Sequence, residues 1–97
     1  MNFLDIVGFE WDSGNIHKNR LKHKVTTNEC EEVFFNAPLV FFDDILHSSD
    51  QEKRYKVLGI TSAGRKLALA VTIRNNKIRV IMSRNQSKKE RIVYEEN

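Results

Sequence analysis

Apolar and polar residues alternate most regularly towards the end of the chain, where the period then switches from strand to helix. Over residues 77–83, Ile78, Val80 and Met82 fall on one side of a period-two strand, and Arg79, Ile81 and Ser83 on the other. Arg79 thus shares a face with an apolar neighbour, which holds it rather than leaving it loose in solvent. Ser87 opens a capping box with Glu90 three residues later, in which each side chain accepts an otherwise unpaired amide at the start of a helix. That helix runs towards Glu95, and the strand-to-helix joint carries Arg84, Arg91 and Tyr94.

Upstream, residues 66–74 set Leu67, Leu69, Val71 and Ile73 against Ala68, Ala70 and Thr72, so one face suits helix packing and the other admits close approach. Residues 54–61 place Tyr55 and Val57 on one side and Leu58 and Ile60 on the other. Ser62-Ala63-Gly64 and Asn75-Asn76 are turn signals, which makes the three segments a meander. Residues 39–43 read as a further strand and residues 44–52 as a polar loop carrying His47.

The amino-terminal part is more helical. Phe9, Glu10 and Trp11 form a short first strand, ended by Asp12, Ser13 and Gly14, and a helix is expected over residues 15–24. Its apolar face is thin, because only Ile16 and Leu21 are aliphatic, while His17, Lys18, Arg20, Lys22, His23 and Lys24 fill much of the rest. Such a run is either a solvated face or a dense positive field. Thr26 and Glu29 make a second capping box, Cys30, Val33, Phe34 and Ala37 follow at helical spacing, and Pro38 stops the helix. Glu29, Glu31 and Glu32 in its first turns complement the helix dipole and read as structural. The predicted fold is α+β: two N-terminal helices packed on an antiparallel sheet of about four strands, then a C-terminal helix, with the helices on one face. The small-residue face, with Arg79 and Arg54 pointing from it, is expected to meet a partner or substrate.

Size and charge narrow the chemistry. A chain of 97 residues makes one domain, residues 1–97, with 40% hydrophobic and 30% charged residues. The longest strongly apolar run, residues 38–42, is far short of the roughly 20 residues of a membrane span, and residues 1–9 lack the pattern of a secretion signal, so a cytoplasmic protein with no membrane contact is expected. Cys30 is the only cysteine, which rules out an intramolecular disulfide and a zinc site of paired thiolates. His17 and His23 are six apart, not the three or four that suit two ligands on one helical face, so neither metal nor cofactor is expected. A net charge of +3 and a pI near 9.2 favour phosphate-bearing partners. No carboxylate pair suggests glycosidase-like chemistry.

Several local patterns coincide: Phe9-Glu10-Trp11-Asp12, Lys22-His23 followed by a valine and a threonine cap, Glu32-Val33-Phe34, Arg54 and Gly59, and finally Ile78-Arg79-Val80-Ile81 to Arg84 with Glu90-Arg91 and Tyr94. In order and spacing, from Phe9 to Tyr94, the chain resembles the BrnT family of bacterial toxins. The resemblance implies a RelE-like ribonuclease fold and a partner, the BrnA antitoxin, through which alone the toxin would meet DNA. This chain departs from the family pattern at Lys24, where glycine is usual, and at Met82, Ser83, Asn85 and Gln86 around Arg84.

RNA carries its own nucleophile in the 2′-hydroxyl, so a minimal ribonuclease aligns it with the phosphate, moves two protons and stabilises charge on phosphorus, without a metal or cofactor. Arg79 and Arg84 suit the last task, because guanidinium can take two phosphate oxygens at once. His23 or His47 suits proton transfer, and Tyr94 could donate a proton or stack on a base. Lys22, Arg54 and Arg91 would hold the RNA backbone. Each has a plainer reading: Arg79 bridged to Asp43 or Asp44, His23 capping its helix, His47 solvated on its loop, Tyr94 packed under the last helix, and Trp11 anchoring the core. At the level of function, the alternatives are a non-catalytic basic binding module and an inactive toxin relic that keeps its antitoxin contacts.

Overall fold

The structure, a computed structural model, describes residues 5–13 and 23–97. Five strands form one mixed sheet in the order β1-β5-β4-β3-β2: β1 Gly8–Glu10, β2 Val40–Asp43, β3 Arg54–Ile60, β4 Lys66–Arg74 and β5 Lys77–Asn85. Helix α1 spans Thr27–Glu32 and runs on into a 3-10 turn, Val33–Phe35, while α2 spans Lys88–Glu95. Among the described residues, no helix is long and apolar enough to cross a membrane.

The expected meander is present. β3, β4 and β5 pair antiparallel, and Asn75 and Asn76 close the second hairpin at φ 54° and 58°, the positive values of a type I′ turn. Both capping boxes form, with Thr26 and Glu29 before α1 and Ser87 and Glu90 before α2. Cys30 from α1 and Val33 from the 3-10 turn pack against Val57, Leu67, Leu69, Val71, Ile78 and Val80, and Phe9, Trp11 and Phe34 close the margins of this core. Trp11 is the expected anchor, its indole donating to Glu31 at 2.9 Å. Glu29 and Glu32 likewise serve local structure, accepting from Arg65 and from the Ser62 amide.

Two expectations need correction, and a third lies outside the described residues. The sheet has five strands and is mixed, because β1 joins the far edge parallel to β5, with Phe9 opposite Ile78 and Glu10 opposite Arg79. The helices do not share a face: α1 covers the Leu67–Leu69–Val71 side, while Tyr94 of α2 packs on Leu58 and Ala68 of the other. A strand-length joint leaves α2 on whichever face Ser87 enters, which no periodicity encodes. Of the two N-terminal helices, the one over residues 15–24 lies almost entirely outside the described residues.

Two backbone positions limit the packing. A Cβ on Gly59 would lie 2.8 Å from Val33 Cβ, so the close approach of the 3-10 turn to β3 requires glycine. Lys24 sits at φ 55°, a left-handed conformation that glycine adopts without cost and lysine does not. Its carbonyl, with that of His23, accepts from Arg65 at 2.9 and 3.1 Å, which ties this bend to the β3–β4 turn.

Gly59→Ala should destabilise the protein by about 1–3 kcal/mol, read as a lower urea midpoint with an unchanged slope, because Val33 cannot move without opening the core. Lys24→Gly should raise stability by about 0.5–1 kcal/mol in the same assay, since the strain relieved exceeds the added chain entropy.

Candidate functional site

The sheet face away from α1 carries the chemistry, and a bulge in β5 makes it so. Arg79 and Arg84 are five residues apart, so unbroken alternation would send them to opposite faces. The register instead runs Val71 to Val80 and then Ala70 to Met82, leaving Ile81 as the extra residue. After it, Met82 faces with Ala70 and Arg84 with Ala68, on the same side as Arg79 beside Thr72. Ser83, expected beside Arg79, turns into the core with Cys30. Burial pushes the Cys30 thiol up to about 11, with the Ser83 side chain pulling the other way.

On this face β3 contributes Arg54, Lys56 and Leu58, in register with Thr72, Ala70 and Ala68. Between the last turn of β2 and the end of β5 lies a cavity of about 290 Å³. Ala68 and Ala70 are its floor, Lys56 and Arg84 contribute cations, Asp43 and Asp44 contribute carboxylates, and His47, Phe42 and Met82 form walls. His47, on the 3-10 turn Ile45–His47, has Nδ1 2.9 and 3.0 Å from the two carboxylate oxygens of Asp44. With the carboxylate accepting from Nδ1–H, the neutral ring presents Nε2 as its basic nitrogen.

Glu90 stands behind both cations. Its carboxylate takes Arg84 in a fork at 2.6 and 3.0 Å, pairs with the Lys56 ammonium and accepts from the Ser87 amide at 2.8 Å. The Arg84 hydrogen bond, joined by those of Lys56 and Ser87 and opposed by burial, holds the Glu90 carboxyl far below the ordinary carboxylate range. Reciprocally, Glu90 raises the proton affinity of Arg84. The fork fixes the guanidinium plane, which presents Arg84 to the cavity in one orientation.

The other sequence candidates are distributed differently. Arg79 is half-buried and paired with Glu10 at 3.2 Å and with Asp12, not with Asp43 or Asp44, because parallel addition of β1 brings these acids alongside it. Arg54 opens onto a separate cavity with Tyr55 and Asp50; its Nη2 is 3.8 Å from Glu52 and its Nε is buried without a hydrogen-bond partner. Tyr94 is only 3% exposed, and its hydroxyl donates to the Pro38 carbonyl at 2.6 Å, so the ring packs and does not face the cavity. Arg91 donates to the Gln86 carbonyl at the foot of α2. His23 lies at the bend held by Arg65, apart from the cavity, and Lys22 lies outside the described residues. Of the candidate site residues, then, His47 and Arg84 are brought together. Lys56 and Phe42 were missed; the signal for Lys56 was its place two residues from Arg54, a charge interrupting the apolar side of Leu58 and Ile60. Among the described residues, no group of three or more His, Cys, Asp or Glu side chains is gathered as a metal cage needs.

Fold and cavity together define a small α+β protein in which two fixed cations, an imidazole and the carboxylates of Asp43 and Asp44 meet in one pocket, a set of groups that can hold a phosphate and move protons. The family described as "Ribonuclease toxin, BrnT, of type II toxin-antitoxin system" matches residues 11–90, and the chain belongs to that family. No individually curated protein matches it. The matched span includes every element that lines the cavity and ends within the first turn of α2, at Glu90.

Because the depressed Glu90 carboxyl is charged in the folded state and binds its proton readily when unfolded, its contribution to stability is complete above the unfolded value near 4.5 and is lost as pH falls further. Glu90→Gln, which keeps the capping geometry, should cost about 1–2 kcal/mol at pH 7, and in denaturation curves the gap to the parent should begin to narrow as pH falls below about 4.5 and go on narrowing with further acid.

Proposed function

We propose that this chain is the toxin of a type II pair and cleaves RNA in the alanine-floored cavity, by metal-independent attack of the 2′-hydroxyl on the adjoining phosphate. The observation that carries the reading is the presence in one cavity of an arginine fixed by a fork, a lysine and a carboxylate-oriented histidine, in a family of ribonuclease toxins. Arg84 and Lys56 receive the phosphate and the charge that builds on it. His47 Nε2 takes the proton of the 2′-hydroxyl, whose oxygen bonds to phosphorus to give a cyclic phosphate. The bond from phosphorus to the 5′-oxygen breaks, and that oxygen takes a proton from the Lys56 ammonium.

Arg79, tied to Glu10 and Asp12, sits in the row beside the cavity and supports it, and Arg54 meets the RNA backbone. A second contact area for RNA is the cation-rich segment with Lys22 and His23, read from sequence. Arg91 flanks α2. The architecture is read as a RelE-like variant with one strand added at the edge. The partner is a BrnA-like antitoxin, which silences the toxin in the cytoplasm by covering the cationic face with an acidic or helical segment; DNA is met only through it.

A defined RNA incubated with purified protein tests the reading. Arg84→Ala and His47→Ala should each lower the cleavage rate by about 10²–10⁴-fold with folding intact by circular dichroism, and EDTA should change nothing. Cleavage abolished by EDTA would overturn the metal-independent chemistry. RNA bound tightly by the parent protein and left uncut would make it a binding module.

A further inference from the structure

A second cavity adjoins the first, and the two share a wall. It is a notch of about 260 Å³ between α2 and the edge of the sheet, lined by Leu58, Val93 and the buried Glu90, with the exposed Lys89 at its mouth. The residues it has in common with the alanine-floored cavity are Phe42 and Lys56. Phe42 stands opposite Lys56 in the β2–β3 register, on an edge strand of the sheet, and is 40% exposed. An exposed aromatic alone means little. An aromatic that divides two small cavities, with an ammonium beside it on the same wall, has the arrangement that unstacked bases and their linking phosphate require.

We propose that the two cavities bind one dinucleotide step of single-stranded RNA, with a base on either side of the Phe42 ring and the phosphate between them over Lys56 and Arg84. The inference rests on the ribonuclease reading and specifies its substrate. Each cavity is at the lower end of the size of small-ligand pockets and holds one base, not a base pair. The notch is apolar at Leu58 and Val93, matching a base face, and Lys89 at its mouth meets the next phosphate. Glu90, beside this path, is held by Arg84, Lys56 and the Ser87 amide, and Asp43 and Asp44 line the first cavity, so the phosphate shares the two cations with these carboxylates. A paired, stacked duplex cannot offer its bases to either cavity, so strand state is read at Phe42.

The test uses an uncleavable probe, a short single-stranded RNA oligomer with 2′-O-methyl groups, titrated into the protein alone and as the annealed duplex, with affinity from fluorescence anisotropy and location from amide shifts. The single strand should bind at least about 10-fold tighter than the duplex at equal salt, with shifts at Phe42, Ala68, Ala70 and Val93. Phe42→Ala, and Phe42→Leu, which keeps apolar bulk without the ring, should each weaken binding about 5- to 100-fold at an unchanged salt slope. Lys56→Ala should instead reduce the salt slope by about 0.7, the share of one released counterion on single strands. Equal affinity for the duplex, or parental affinity in Phe42→Leu, overturns the proposal. Parallel cleavage of the matching RNA separates the two readings. If RNA is cut while Phe42→Leu binds like the parent, the subsites fall and the ribonuclease stands. If Phe42-dependent binding occurs while RNA stays intact, the subsites stand and the ribonuclease reading falls.

Discussion

One carboxylate holds the working end of this protein together. Glu90 caps the first turn of α2, locks the Arg84 guanidinium in a fork and draws the Lys56 ammonium towards it from the neighbouring strand. Helix, β5 and β3 are thereby joined at a single charged point. The residue is buried, and a buried carboxylate persists only when its charge is matched and its oxygens are hydrogen-bonded. Both conditions are met here by groups that a phosphate would also seek, so the interaction that fixes α2 also arranges the cations of the cavity.

The bulge at Ile81 is the second constraint. It moves Met82 and Arg84 to the face of Arg79 and turns Ser83 towards Cys30. A bulge disrupts the ladder for one residue, and the sheet recovers its pairing on both sides. In exchange the alanine face acquires Arg84 next to Ala68, where small side chains leave room above the sheet. Just beyond it, the Gln86 amide donates to the Gly59 and Leu67 carbonyls across the sheet and so ties β3 and β4 to the joint, while Met82 forms part of the cavity wall.

Acids elsewhere are used in the same way. Arg79 is held by Glu10 and Asp12, Lys66 by Glu95 and Arg65 by Glu29, so much of the positive charge is fixed in place by carboxylates from other elements. Fixed cations give up little conformational entropy on meeting a ligand, at the cost of competing with their own partners. Arg84 and Lys56 share Glu90 between them, and Asp43 and Asp44 also line the cavity, so its cations are held beside carboxylates as Arg79 is held by Glu10 and Asp12.

Local signals determined a good deal of this protein. Periodicity marked the faces of β3 and β4, capping boxes marked both helix starts, Asn75-Asn76 marked the hairpin, and Cys30 and Trp11 were recognisable as core residues, because each depends on near neighbours in the chain. Residue order also carried the resemblance to the toxin family and two members of the cavity, His47 and Arg84. Tertiary structure decided the rest. The partners of Arg79 came from a parallel edge strand almost 70 residues away, Tyr94 was turned under α2 onto the Pro38 carbonyl, and Lys56 and Phe42 gained their places from cross-strand register. Strand addition, bulges and the face on which a helix lands are set by the fit of distant surfaces, and a one-residue bulge changes which face a side chain occupies without altering the composition around it.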